Sequence, residues 1–294
     1  MKRQLTIIFC IATCLVLGFS CGKDDDDSGI IFNGVKTGAY ESRLEVPRLQ
    51  NSGTVLIHHS TKVGADSVMT YCLEYNLSKN HSRWVAFRFD GKTRAIGSGR
   101  SDAWADDPKL DSYYHVGAGY FNGGSRGHIC ASYDRQYSKE ANRQTFYMTN
   151  MSPMNGSFNS NYWTAFEQYV QDKGRDATFA DTLYVVKGGT IANGMTQGTA
   201  TSSYGKSIVI PKYYFIALLR FKGGNYSSVG FWVEHNNHGY SKSSAPRSVI
   251  GDCVVNIDRL EQLTGIDFFH NLPDGIEQKI ESEDIETLRS VWGI

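Results

Sequence analysis

The sequence predicts an α+β chain built on a central antiparallel sheet with flanking helices, and three observations carry that prediction. Short strand-like runs follow one another across polar turns. Helical periodicity is confined to a few segments. Thirty glycines and 13% aromatic residues describe a turn-rich globular protein rather than a fibrous or disordered one. With 294 residues, 40% of them apolar, the chain can bury a sizeable core.

The elements can be taken in order. Residues 67–76 (SVMTYCLEYN) and 83–90 (RWVAFRFD) alternate with tyrosines and β-branched residues, and the polar stretch 77–82 between them reads as a hairpin. Residues 161–172 place Tyr162, Phe166, Tyr169 and Val170 on one side at helical spacing, with Gly174 as the stop. Strands are expected at 181–186 (DTLYVV), 213–221 (YYFIALLRF) and 229–234 (VGFWVE), the last two joined by Lys222-Gly223-Gly224-Asn225. Residues 256–264 form a helix with an Asn cap and a closing Gly265, and residues 273–288 form an acidic helical tail. No internal repeat is visible.

The N-terminus is a separate object. Lys2 and Arg3 precede an apolar stretch over 7–19, too short for a comfortable membrane span, which ends in Gly18-Phe19-Ser20-Cys21. The pattern resembles a lipoprotein signal, although Gly18 stands where Leu is usual. It implies a signal peptide over 1–20, lipidation at Cys21, and an acidic tether over 21–29 that includes Asp24 to Asp27. Ordinary cleavage and retention as an anchor are the competing readings. The expected location is the bacterial cell envelope, as an outer-membrane lipoprotein facing the surface or the periplasm.

Residues 1–20 carry Lys2 and Arg3 and no acid, so their removal leaves 28 basic against 30 acidic residues, a formal −2. No global basic field therefore attracts nucleic acid, and any phosphate contacts must be local. Of six cysteines, Cys72, Cys130 and Cys253 remain in the body of the chain, where two of them could pair.

The chemistry concentrates between Gly123 and Glu167. Arg126-Gly127-His128 on a strand places Arg126 and His128 on the same side, since side chains alternate, and Gly127 between them leaves room for a phosphate. Phosphodiester hydrolysis needs a base for water, a grip on phosphate and a cation for the developing charge. Asn159 lies eight residues before Glu167, a little over two helical turns, so both can reach one site. One amide oxygen with a supporting carboxylate suits Mg²⁺, which keeps most of its water. Arg-Gly-His alone is a weak signal, and the assembly gives it weight.

These segments resemble the DNA/RNA non-specific endonuclease family, the ββα-metal or His-Me finger nucleases that include secreted bacterial nucleases and mitochondrial endonuclease G. The family motif Asp-Arg-Gly-His corresponds to Ser125-Arg126-Gly127-His128, its Thr/Ser-Asn-x-x-Pro turn to Asn150, and its Asn-x-x-x-Trp-x-x-x-Glu to Asn159, Trp163 and Glu167. Further likeness extends through AWADDPKL (103–110), YVVKGG (184–189), VIPKYYFIALLRF (209–221) and the stretch 254–280, which contains TGIDFF and LPD. The resemblance implies one nuclease domain over 30–294 with a ββα-metal motif. It implies Mg²⁺, or Mn²⁺, as cofactor, DNA and RNA as substrates, 5′-phosphate ends, and a homodimer among the partner readings. It makes His128 the general base, Asn159 the metal ligand and Glu167 a holder of the cation's water shell. Arg126 contacts phosphate, and Asn150 orients the site.

Two departures matter. Ser125 replaces the family Asp, and the phosphate-clamping Arg aligns nearest Asp102, with Arg100 as the stand-in. Both keep open an alternative, a catalytically impaired envelope lipoprotein that binds nucleic acid or another surface ligand. A glycan-binding lipoprotein rests only on the 17 tyrosines, which could equally stack on bases or pack the sheet. His235-Asn236-Asn237-His238 has ligand-like spacing but reads as a polar loop, and His58-His59 reads as strand-end surface.

Overall fold

The computed structural model describes residues 30–32, 40–241 and 245–294, the first three as backbone alone. The signal peptide over 1–20, the tether over 21–29 and the lipidation site Cys21 lie outside these residues. Among the described residues no helix is long and apolar enough to cross a membrane.

The elements in chain order are β1 (Ile30–Phe32), β2 (Thr54–Val63), β3 (Asp66–Asn76), β4 (His81–Phe89), β5 (Ser125–His128), α1 (Lys139–Gln144), β6 (Met151–Met154) and α2 (Trp163–Arg175). There follow β7 (Thr182–Gly189), β8 (Thr196–Thr201), β9 (Ser207–Pro211), β10 (Tyr213–Lys222), β11 (Asn225–Glu234), α3 (Ser248–Gly251), β12 (Val254–Val255), α4 (Ile257–Thr264), α5 (Asp274–Glu281) and α6 (Ile285–Trp292). Eight strands form the central sheet in the order β1-β2-β3-β4-β7-β10-β11-β12, with neighbours antiparallel. Two two-stranded antiparallel sheets, β5–β6 and β8–β9, stand apart from it.

The sheet is buried on both faces, and alternation divides its side chains cleanly. Tyr71, Leu73, Val85, Phe87, Ile216 and Leu218 join one core with the aromatic face of α2 and with Trp292 of α6. Cys72, Trp84, Ala86, Phe215, Ala217 and Leu219 join the other, with Leu260 of α4 and Ile280 of α5. The sheet with helices on both faces agrees with the α+β expectation. His58-His59, read as a strand end, lies inside β2, which runs on to Val63 through the polar residues Ser60, Thr61 and Lys62. The tail breaks into α5 and α6 where Asp284 caps the second helix, its side chain accepting from Thr287 N–H.

On α2, Tyr162, Phe166, Tyr169 and Val170 are buried together as their spacing required. Gly174 is not the stop, since the helix continues to Arg175. Its role is close packing: a Cβ there would meet the Phe89 ring at 2.3 Å. Gly→Ala inside a helix ordinarily gains up to about 1 kcal/mol. Here overpacking should win, and Gly174→Ala is expected to cost about 1–3 kcal/mol in urea unfolding. A stabilised variant would remove the packing account.

Candidate active site

The site begins on β5. Alternation sends Arg126 and His128 into a common cleft and turns Gly127 the other way. Gly127 therefore does not make room for phosphate; a Cβ there would lie 2.2 Å from the Met154 sulfur, inside the core. His128 is 8% exposed, wedged edge-on against Trp104 and Phe146, and its Nε2 has no partner. Burial, reinforced by Arg100 and Arg126, pushes its pKa down to about 3. The imidazole is therefore neutral around pH 7 and able to accept a proton.

The two arginines are held by aromatic faces. The Arg126 guanidinium stacks 3.6 Å from the Trp104 centroid and 4.5 Å from that of Tyr120, and it donates to the Ala118 carbonyl. Arg100 lies 4.8 Å from the Phe146 centroid and donates from Nη1 to Ser132 Oγ at 3.2 Å and from Nε to Asp102 at 2.8 Å. Asp102, at the clamp position, thus orients the arginine two residues before it.

Asn159 and Glu167 reach the same cleft through a helical irregularity. In a regular α-helix eight residues turn through about 800°, leaving the two about 80° apart around the axis. Phe158–Tyr162 instead forms a wide π-helical turn, closed by Trp163 N–H on the Phe158 carbonyl, which rotates less per residue and brings them closer to one face. Asn159 Nδ2 donates to Ser125 Oγ at 3.3 Å, and Ser125 in turn donates to the Met154 carbonyl at 2.9 Å. The serine thus serves as an acceptor that leaves the Asn159 oxygen to the cleft. Glu167 is half-buried, with neither a hydrogen bond nor an ion pair among the described residues. Burial raises its pKa to about 7, against the opposing pull of Lys187. An amide oxygen beside a carboxylate without a counterion fits a hard divalent cation.

Asn150 is placed differently from the other candidates. It is wholly buried outside the cleft: Oδ1 accepts from Cys130 N–H at 2.8 Å, and Nδ2 donates to the Cys130 and Thr145 carbonyls at 2.9 and 2.7 Å. It pins the chain two residues beyond His128 and acts as a positioning residue. His235 has a similar task. Nδ1 bonds the Pro211 carbonyl and Nε2 accepts from Asn155 N–H, both at 2.7 Å, while the Asn155 carbonyl accepts from Asn159 N–H at 2.9 Å. Both ring nitrogens are engaged, and His238 Nε2 bonds the Glu234 carbonyl, so the pair is no metal site. The surface reading of His59 is corrected as well. It is 2% exposed and pairs with Asp107 at 2.9 Å, and Asp107 also accepts from Thr149.

The cleft of about 430 Å³ thus gathers Arg100, Ser125, Arg126, His128, Asn159 and Glu167. Sequence reasoning missed Trp104, Tyr120 and Tyr133, which also line it, although Trp104 belongs to the aromatic segment noted above. Cys72, Cys130 and Cys253 are all free thiols, so no disulfide forms among them.

The model of the DNA/RNA non-specific endonuclease family matches residues 51–275. The chain belongs to that family. Among curated members it is 27% identical over 222 residues to a nuclease of Nostoc sp., covering 72% of this chain and 76% of that one. It is 26% identical over 236 residues to the mitochondrial nuclease EXOG of Mus musculus, covering 75% of this chain but 59% of that protein. The fold resembles that in the crystal structure of the EndoG/EndoGI complex, with TM-score 0.56 and 17% identity over 75% of this chain and 89% of that one. As a member of the nuclease family, the protein is a nucleic-acid hydrolase, and the family is generally dependent on a divalent metal.

Proposed function

We propose that this nuclease hydrolyses DNA and RNA endonucleolytically with Mg²⁺, leaving 5′-phosphate and 3′-hydroxyl ends, and that His128 is its general base. The observation that supports this reading best is a neutral, buried His128 between two arginines, in one cleft with Asn159 and Glu167. Arg126 and Arg100 hold the phosphate, and the exposed rings of Tyr120 and Tyr133 offer faces on which bases can stack whatever their sequence. Burial is the main cause of the low His128 pKa, and an anion seated between the arginines would relieve the smaller part due to their charge, making His128 a better base. His128 then takes a proton from water as the water oxygen bonds phosphorus and the 3′-oxygen departs. Asn159 and Glu167 would hold the cation, which supplies Lewis acidity to the phosphoryl group when bound. Ser125 preserves the orientation of Asn159 by hydrogen bonding, which favours turnover over the binding-only reading.

His128→Ala should reduce plasmid and RNA cleavage by roughly 10²–10⁴-fold while leaving nucleic-acid affinity largely intact. EDTA should abolish wild-type cleavage. Equal rates in the variant, or cleavage unaffected by EDTA, would sink the mechanism.

Glu167 adds a pH dependence. Its carboxyl is held protonated below about pH 7, and a cation requires it ionised. The Mg²⁺ concentration giving half-maximal rate should therefore rise by up to about tenfold per pH unit below 7. Glu167→Gln should need more Mg²⁺ above pH 7, converge with wild type below it and lose this dependence. Superimposable wild-type titrations at pH 6 and 8 would refute the assignment.

The tether belongs to the same proposal. Acylation at Cys21 would hold the enzyme at a bacterial envelope, where an exported nuclease meets foreign or released nucleic acid. Cys21→Ser should move the protein from the membrane to the soluble fraction. Retention in the membrane pellet would overturn the lipoprotein reading.

A further inference from the structure

On the face of the sheet opposite the cleft, two helix segments place three carboxylates together. Asp258 and Glu261 lie one turn apart on α4, and Glu281 ends α5. One oxygen from each lies within 4.8 Å of the others. Acidic clusters are common on surfaces, but this one has a buried member. Glu281 is 6% exposed, and its Oε1 is sealed from solvent without a hydrogen-bond partner. Glu261 commits one oxygen to Phe268 N–H at 2.6 Å. The charges that bear most on Glu261 and Glu281 are other carboxylates, chiefly Asp258, Asp267 and Glu277, with no arginine or lysine among them. Burying a carboxylate beside its like is unfavourable unless a cation or a proton relieves it.

We infer that Asp258, Glu261 and Glu281 form a calcium site that ties α4 to α5, separate from the catalytic cleft. The donor set is all oxygen and carries up to three negative charges, the chemistry that a hard cation selects. Three protein carboxylates suit Ca²⁺, which takes six to eight oxygens in a flexible shell, better than Mg²⁺, which is usually held by one or two carboxylates and keeps several waters. Calcium here would lock the two helices over Leu260, Phe268 and Ile280, where Ser228 on β11 already bonds the Ile280 carbonyl at 2.7 Å.

The probe is calcium chloride, added to the full chain without nucleic acid and followed by thermal unfolding and calorimetry at pH 7.5. Wild type should gain about 1–6 °C at about 1 mM Ca²⁺, consistent with a Kd of roughly 10⁻⁴–10⁻³ M, and less at equal Mg²⁺. Glu281→Gln keeps the shape and should lose most of that gain; Asp258→Asn, at a half-buried position, should weaken it without endangering folding. Mg²⁺-dependent cleavage by both variants should stay within about twofold of wild type. If Glu281→Gln retains the full calcium shift, the cation sits elsewhere, the cleft included. If wild type gains nothing, the carboxylates share a proton instead. Either result overturns the inference.

Discussion

A single buried ion pair ties together the parts on which the cleft depends. Lys187, on the central strand β7, is fully enclosed and bonds Asp134 at 2.7 Å, and Asp134 is enclosed too. A lysine in that position must have a partner, because an unpaired buried charge costs several kcal/mol. Its partner lies in the loop that follows β5. The same carboxylate accepts from Ala131 N–H at 2.9 Å and from Gln171 on α2 at 3.0 Å. Sheet, His128 segment and α2 are thus fixed to one another at a single point. The pair also sets the field at Glu167, where Lys187 lowers the carboxyl pKa and Asp134 raises it.

Around that anchor, buried hydrogen bonds position the residues of the cleft. Asn150 clamps the chain beyond His128, and His235 holds Asn155, whose carbonyl starts the turn that carries Asn159. His59, Asp107 and Thr149 join β2 to the segment before β6. None of these side chains lines the cleft. Within the cleft, His128 Nε2 keeps no partner, while Arg100 and Arg126 are held by hydrogen bonds and aromatic faces that leave other guanidinium donors uncommitted. Open groups on a rigid frame are what preorganisation requires.

Ser125 shows how a departure from the family pattern is absorbed. Loss of a carboxylate beside Arg126 and His128 raised the prospect of an inactive descendant. The hydroxyl still links the Met154 carbonyl to the Asn159 amide, so the local geometry survives without the charge. Asp102 and the Phe146 face likewise hold Arg100 in the cleft.

Sequence by itself determined the α+β class, most strands of the main sheet, the aromatic face of α2, and five residues that meet in the cleft: Arg100, Arg126, His128, Asn159 and Glu167. These were legible because periodicity and short-range spacing are local properties of the chain. Tertiary structure alone decided the rest. Gly127 and Gly174 serve Met154 and Phe89, contacts between segments that no local pattern reports. The burial of His59 and His235 depends on partners at Asp107 and Asn155, far along the chain. The π-helical turn carries Phe158 and Trp163 against Tyr214, a contact between distant segments that no local pattern reports. The pKa values of His128 and Glu167 move because folding removes water and gathers charges around them, which composition and spacing cannot encode.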